Sequence, residues 1–142
     1  MMINNFKKIL VLAPHTDDGE LGAGGSIAKF IENGAVVDYI GFSTAQESVP
    51  EHLPQDILSK EVRQATSALG IEEENLVILN YKVRKLNFSR QDILEDLIKI
   101  RRKKIYDLVL IPSLGDVHQD HATIAQEAVR AFKATTILSY EL

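Results

Sequence analysis

Three of the four histidines lie beside aspartates, in two short clusters that are far apart in the 142-residue chain. The first cluster is Pro14-His15-Thr16-Asp17-Asp18, and the second is His118-Gln119-Asp120-His121. Imidazole nitrogens and carboxylate oxygens are common ligands of first-row metals, and a carboxylate beside the metal can transfer protons. The two clusters together therefore predict a metal site with an acid or base next to it.

Each cluster follows a short apolar run that is typical of a buried strand. Ile9–Ala13 precedes the first cluster and Leu108–Ile111 precedes the second, and both runs are too short for a helix. In an open α/β sheet, the carboxyl ends of the parallel strands border one crevice, where ligands usually bind. We therefore expect the two clusters to meet at one edge of a sheet.

Strand and helix patterns alternate along the whole chain. Alternation of this kind predicts right-handed crossovers and a mostly parallel sheet with helices on both faces. The predicted strands are Ile9–Ala13, Ala35–Phe42, Leu76–Leu79, Leu108–Ile111 and Thr136–Tyr140, and the predicted helices are Leu21–Asn33, Ile57–Leu69, Arg90–Lys103 and His121–Phe132.

Composition indicates a single soluble globular domain over residues 1–142, with 45% hydrophobic and 25% charged residues. Cysteine is absent, which excludes disulfides and thiolate metal ligands. The net charge is −4, and the cations of Lys99–Lys104 end a predicted helix, so we expect no nucleic-acid partner. The N-terminus does not resemble a secretory signal, and no apolar run could span a bilayer. We therefore expect no membrane association and a cytoplasmic location.

Glycines crowd the start of the first predicted helix, at Gly19, Gly22, Gly24 and Gly25. Glycine inside a helix costs about 1 kcal/mol relative to alanine, so we expect the backbone to approach a ligand or another strand closely. A phosphate-binding loop, and hence a nucleotide-binding α/β domain, is an alternative. The glycine order differs from G-x-G-x-x-G, however, and the two preceding aspartates would repel a pyrophosphate from the helix N-terminus.

The stretch Pro14–Ser26, together with His118–His121, resembles the PIG-L/LmbE-like family of zinc-dependent N-acetylglucosaminyl deacetylases. The first motif of that family is roughly P-H-P-D-D-E before a glycine-rich helix start, and the second is H-x-D-H. The resemblance covers essentially the whole chain. It implies a Rossmann-like, three-layer α/β domain with a mostly parallel five-stranded sheet.

The resemblance also implies a Zn²⁺ cofactor and its ligands, which by position are His15, Asp18 and His121. Three protein ligands leave a position open for water, and zinc lowers the pKa of that water to about 7. The implied protein is a hydrolase that uses zinc-bound water to remove the N-acetyl group of a small amino-sugar substrate or related amide. Two histidines and one carboxylate also accept other divalent metals, such as Fe²⁺.

The remaining side chains of the two motifs receive roles by the same resemblance. Asp17 corresponds to the general base, and His118 corresponds to the histidine that assists the oxyanion and the leaving group. A protonated His118 would stabilise the oxyanion. Asp116 or Asp120 could orient an imidazole from behind.

Several departures from the family pattern leave alternatives open. Thr16 replaces a proline, Gly19 replaces a glutamate, and Leu58 stands where an arginine is common. The chain is also shorter than family members generally are, so we expect it to lack a C-terminal part that helps to wall the substrate cleft. A metal-binding module without catalysis is therefore an alternative, and a homo-oligomer could complete the site. The sequence does not identify the substrate, and we expect His52 to be solvated.

Overall fold

The computed structural model describes residues 5–142 as an alternating series of strands and helices. The strands are β1 (Lys8–His15), β2 (Val36–Ser43), β3 (Leu76–Ile78), β4 (Leu108–Pro112) and β5 (Thr136–Tyr140), and the α-helices are α1 (Asp18–Glu32), α2 (Ile57–Ala68), α3 (Arg90–Lys103) and α4 (Gln119–Ala131). Short 3₁₀ helices cover Gln46–Ser48, Glu73–Asn75 and Leu86–Ser89. The expectation about a secretory signal involves residues 1–4, which lie outside the described residues.

The described strands form one five-stranded sheet with the order β3-β2-β1-β4-β5. Every pairing is parallel, and the central strand β1 pairs through Leu10 with both Asp38 of β2 and Val109 of β4. The predicted α/β fold with a mostly parallel five-stranded sheet is therefore confirmed, and the sheet is parallel throughout. Because β1 and β4 are neighbours, the residues that follow them lie next to each other.

Side chains of β1 reach two separate apolar clusters, one on each face of the sheet. Leu10 and Leu12 belong to a cluster that includes residues of α3 and α4. Ile9 and Val11 belong to a second cluster that includes residues of α1 and α2. These four side chains are fully buried, so the alternation along β1 produces the three-layer arrangement.

The helices end close to the predicted residues, but two of them begin earlier. Helix α1 begins at Asp18, three residues before the predicted start at Leu21. Gly34 and Gly70 have φ values of +80° and +90° after α1 and α2, the left-handed conformation that ends many helices. The fourth helix begins at Gln119, two residues before the predicted start at His121. Within residues 5–142, no helix is long and apolar enough to cross a membrane.

Candidate metal centre and substrate cleft

The two sequence clusters meet at the carboxyl edge of the sheet. Nδ1 of His15 and Nε2 of His121 lie 3.4 Å apart. The Oδ2 atom of Asp18 lies 3.1 Å from that nitrogen of His15 and 3.2 Å from that nitrogen of His121. Ligand atoms of a tetrahedral zinc ion are about 3.3 Å apart, given metal–ligand distances of about 2.0–2.1 Å. The three donor atoms therefore have the spacing of three corners of a zinc site.

The other nitrogen of each of these two imidazoles contacts a second carboxylate. Nε2 of His15 lies 2.9 Å from Oδ2 of Asp120, and Nδ1 of His121 lies 2.7 Å from Oδ2 of Asp116. Carboxylates in this position fix the tautomer and orientation of metal-binding histidines. The sequence indicated Asp116 and Asp120 as residues that could orient an imidazole. Both contact one, Asp120 that of His15 and Asp116 that of His121.

Asp120 connects the centre to the segment that precedes α3. It is fully buried, and its carboxylate accepts hydrogen bonds from the backbone N–H groups of Arg84, at 2.6 Å, and Leu86, at 3.2 Å. A buried carboxylate needs such donors, because an unpaired buried charge is strongly destabilising. Asp120 therefore joins β1, α4 and the 84–86 segment at a single point.

Charge interactions shift the pKa values of the three donor residues toward an ion-paired state. Burial lowers the pKa of His121, but the carboxylates of Asp18 and Asp116 outweigh burial and raise it to about 9. Burial likewise lowers the pKa of His15, whereas Asp18 and Asp120 produce a net increase. Burial raises the pKa of Asp18, but hydrogen bonds with the two histidines hold it far below its usual range. The raised pKa values of both imidazoles show that the carboxylates favour positive charge at the position where a metal cation would bind.

His118 is the third imidazole of the centre. Its ring stacks on that of His121 with a centroid distance of 4.6 Å, and nitrogens of His15, His118 and His121 lie within 4.8 Å of one another. His118 is also the N-cap of α4, where its Nδ1 accepts a hydrogen bond from the backbone N–H of Asp120 at 3.1 Å. The three imidazoles are therefore a second possible ligand set, in which His118 would have to use Nε2.

The surroundings of His118 favour a neutral ring, whereas a protonated one was considered from the sequence. Burial lowers its pKa, and the neighbouring His121 and His15 lower it further. Because Nδ1 accepts a hydrogen bond, the neutral ring carries its proton on Nε2. The lowered pKa and the occupied Nδ1 both favour a neutral His118 that donates through Nε2.

Asp17 lies beside the donor atoms but outside them, in a cleft of about 370 Å³ that it shares with His15 and His118. It is exposed and occupies the N-cap position of α1, but its side chain makes no capping hydrogen bond. Leu58 and Arg84 also line this cleft. An ordinary N-cap aspartate accepts a hydrogen bond from a backbone N–H group of the first helical turn, and Asp17 does not. A capping role therefore does not account for Asp17.

Close approach explains two of the four glycines of α1. A Cβ atom on Gly19 would lie 2.5 Å from the ring of Tyr39, and one on Gly22 would lie 2.3 Å from the ring of Tyr140. The expected close approach is therefore confirmed there, although it involves tyrosine side chains. Close packing against another element does not explain Gly24 or Gly25, because a Cβ atom there would meet no side chain closer than 3.8 Å.

Tyr39 and Glu20 contribute to the centre in a way that sequence reasoning missed. The fully buried Tyr39 hydroxyl accepts a hydrogen bond from the backbone N–H of Gly19 at 3.1 Å and donates one to the carboxylate of Glu20. The Tyr39 hydroxyl thereby fixes the first residues of α1 next to Asp18. In the family pattern the residue after the two aspartates is a glutamate, whereas here it is Gly19. No local pattern could reveal it, because Tyr39 lies on β2 and meets α1 only in the folded chain.

Other candidate features lie away from the centre. His52 is exposed and does not line the cleft, as expected. A larger cavity of about 440 Å³ lies beside α3, with Val77, Lys99 and Ile100 in its wall. No imidazole lines that cavity, so we place the candidate chemistry in the smaller cleft.

The fold and the site together define an open α/β protein with a histidine–aspartate centre at the carboxyl edge of its sheet. Residues 10–132 match the PIG-L family, described as GlcNAc-PI de-N-acetylase, and the chain belongs to that family. Family membership removes the support for a nucleotide-binding domain, which the carboxylates around the start of α1 also disfavour.

Three relatives illustrate the likeness. The chain is 27% identical to the uncharacterized deacetylase YaiS of Escherichia coli, over 97% of this chain and 75% of the relative. It is 28% identical to a probable N-acetyl-α-D-glucosaminyl L-malate deacetylase of Bacillus cereus, over 88% and 60% of the two chains. The crystal structure of N,N'-diacetylchitobiose deacetylase from Pyrococcus horikoshii has a TM-score of 0.79 and 31% identity, covering 91% of this chain and 50% of that one. The chain thus spans between half and three quarters of the length of these relatives.

Proposed function

We propose that the protein is a metal-dependent N-deacetylase that hydrolyses the acetamide of an N-acetylglucosaminyl compound, releasing acetate and a free amine. The observation that supports this most is the group of donor atoms from His15, Asp18 and His121, which lie 3.1–3.4 Å apart beside an exposed carboxylate. The substrate class is supported by the similarity to a probable N-acetyl-α-D-glucosaminyl L-malate deacetylase of Bacillus cereus and to the N,N'-diacetylchitobiose deacetylase of Pyrococcus horikoshii.

Zn²⁺ is the proposed metal, and His15, Asp18 and His121 are its proposed ligands. The donor set of two nitrogens and one oxygen suits zinc, and each imidazole is backed by a carboxylate. Bound there, the ion would supply a water of lowered pKa and polarise the amide carbonyl. The same donors suit Fe²⁺, so metal analysis must compare both ions.

Asp17 is the proposed general base. It shares the cleft with His15 but makes no capping hydrogen bond that would occupy its carboxylate. It can accept a proton from the attacking water and then deliver that proton to the departing amine. Proton transfer of this kind by a positioned side chain contributes about 10²–10⁴-fold to the rate.

His118 is the proposed oxyanion donor. Its Nδ1 is occupied by the backbone N–H of Asp120, so the Nε2–H group is the one that remains for the substrate. A fixed donor aimed at the developing negative charge lowers the barrier more than a mobile one, because it needs no reorganisation. The neutral ring can perform this role because it carries its proton on Nε2.

The direct test is Asp17→Asn in the zinc-loaded protein, with acetate release from N,N'-diacetylchitobiose and from an N-acetylglucosaminyl malate as the measurement. We expect the variant to retain one metal per chain and to lose about 10²–10⁴-fold in rate. Asp92→Asn, which makes the same change at an exposed position outside the cleft, should retain full activity.

Two results would contradict the proposal in different ways. Undiminished turnover by Asp17→Asn would remove Asp17 as the base. Stoichiometric zinc with no acetate release from any amide would instead favour the metal-binding module without catalysis. A cytoplasmic location and a homo-oligomeric state stay predictions.

A further inference from the structure

Backbone strain is concentrated in one wall of the candidate cleft. Among residues 5–142, the non-glycine residues with positive φ are Ala45, at 50°, and Arg84, at 63°. Both line the cleft that contains Asp17 and His118. A non-glycine residue in this conformation costs on the order of 1–3 kcal/mol, and such residues cluster at ligand-binding sites. The two strained residues thus mark the same surface, although they come from separate loops.

Arg84 is held in this conformation by the contacts of its own backbone and of its neighbours. Its N–H donates to the buried carboxylate of Asp120 at 2.6 Å. Val83 and Leu86 are buried on either side of it, at 7% and 0% exposure. The backbone is therefore fixed to the same aspartate that contacts His15, while the arginine side chain remains exposed at the cleft.

The guanidinium of Arg84 has no ion-pair partner among residues 5–142, although many other charged side chains of the protein are paired. Asp17 is the other charged group in the cleft wall, apart from the imidazoles. A guanidinium offers a planar set of donors that matches the oxygens of a phosphate or carboxylate. A neutral disaccharide would not require such a group.

We propose that Arg84 is a specificity-determining residue that binds an anionic substituent, phosphate or carboxylate, attached to the N-acetylglucosaminyl unit. This inference rests on the proposed function and narrows its substrate class. The strained backbone keeps the guanidinium at the cleft, and Asp120 sets its distance from the candidate metal centre. Arg84 thereby selects among acetylated sugars by the charge of the group that they carry.

The test compares anionic and neutral substrates of the zinc-loaded full chain. N-acetylglucosamine 1-phosphate and N-acetylglucosaminyl malate provide the phosphate and carboxylate arms, and N,N'-diacetylchitobiose provides the neutral arm. For Arg84→Gln we expect KM to rise about tenfold or more for at least one anionic substrate, because a charge-assisted hydrogen bond is lost. We expect kcat on every substrate and KM for the neutral substrate to stay unchanged. The arm that responds identifies the anion.

Three companion variants separate the guanidinium from the backbone and from general charge. Arg84→Gly should raise KM for the same anionic substrate as Arg84→Gln does, although it relieves the backbone strain, because glycine adopts positive φ readily. Arg84→Lys should retain part of the preference through its charge. Lys85→Gln removes a positive charge from the adjacent exposed residue, which does not line the cleft. This variant should leave KM and kcat unchanged for the anionic and the neutral substrates.

Calorimetric binding of N-acetylglucosamine 1-phosphate and N-acetylglucosaminyl malate to the zinc-loaded protein keeps this inference distinguishable from the proposed function. Weaker binding of at least one of them to Arg84→Gln than to the parent would support Arg84 even if no acetate were released. Equal losses on anionic and neutral substrates would overturn the inference. So would the absence of any preference for either anionic compound in the parent protein.

Discussion

Helix α4 carries two carboxylates that are both fully buried but differ in every contact. Asp120 and Glu127 lie about two helical turns apart, on the same face of the helix. Asp120 is bound by backbone N–H groups and by Nε2 of His15. Glu127 is bound by the guanidinium groups of Arg90 and Arg130.

The difference shows how burial alone fails to identify function. The arginine side chains around Glu127 are about half exposed, at 48% and 50%, so they reach a buried anion from the surface and join α3 to α4. The donors around Asp120 belong to a fixed backbone and to an imidazole of the candidate centre. We therefore expect Glu127 to support the helix packing and Asp120 to position His15.

The largest expected contrast is in metal affinity. Asp120→Asn removes the negative charge beside His15, and its amide nitrogen cannot accept from the backbone N–H group, of Arg84 or of Leu86, that it faces. Loss of such an outer carboxylate typically costs about 10–100-fold in metal affinity. We expect that reduction in a zinc competition titration with a chelator.

Glu127→Gln is the matched variant on the same helix. It should leave zinc affinity unchanged and lower the free energy of unfolding by about 1–2 kcal/mol, because one charge-assisted contact is lost while the arginines remain hydrated. Equal losses of zinc affinity in the two variants would show that α4 acts as one unit and that the distinction between its ends is false.

A second contrast concerns pH, because protons and the metal compete for His121 at the N-terminal end of α4. In the metal-free protein the pKa of His121 is raised to about 9, so the folded state holds this proton more tightly than the unfolded chain. The resulting stabilisation is complete below pH 6.5 and is lost as pH rises through about 9. Zinc must displace that proton, so its affinity should rise by up to about tenfold per pH unit across this window.

Asp116→Asn sharpens the pH experiment, because Asp116 is one of the carboxylates that raise the pKa of His121. The variant should shift the pH dependence of zinc binding to lower pH. Its amide oxygen can still accept the backbone N–H of His118, which Asp116 now accepts at 2.8 Å. Zinc affinity that is flat between pH 6.5 and 9 in the parent protein would show that His121 does not exchange a proton for the metal.

The two kinds of contact on α4 also explain what the sequence could and could not predict. Periodicity located each strand and α-helix of residues 5–142 but none of the short 3₁₀ helices, because apolar runs such as Ile9–Ala13 carry their own burial signal. The meeting of His15 and His121 was predicted from the position of each cluster at the end of a strand, and the structure adds that β1 and β4 are neighbours. The backbone donors to Asp120 and the arginine partners of Glu127 could not be predicted, because each bond joins residues that are distant in sequence and have ordinary local patterns.

Helix α1 repeats the comparison on a smaller scale, with constrained glycines at its first turns and unconstrained ones further along. Gly22 lies against the ring of Tyr140, which is fixed by its own hydrogen bond to the carbonyl of Leu12 at 2.7 Å. A Cβ atom on Gly25 would have no atom within 4 Å apart from those of its chain neighbours and of the backbone of its own helix. The two glycines therefore have the same helix penalty but only one of them has a packing reason.

The smallest predicted effect follows from that pair, and its sign matters more than its size. Gly25→Ala should raise the free energy of unfolding by about 0.5–1 kcal/mol, because alanine is the better helix former and the site has space. Gly22→Ala should lower it by about 1–3 kcal/mol through overpacking against Tyr140. Urea unfolding of both variants measures the difference. If both changes stabilise the protein, Tyr140 moves aside without cost, and the first turns of α1 are not held rigidly enough to place Asp17 and Asp18.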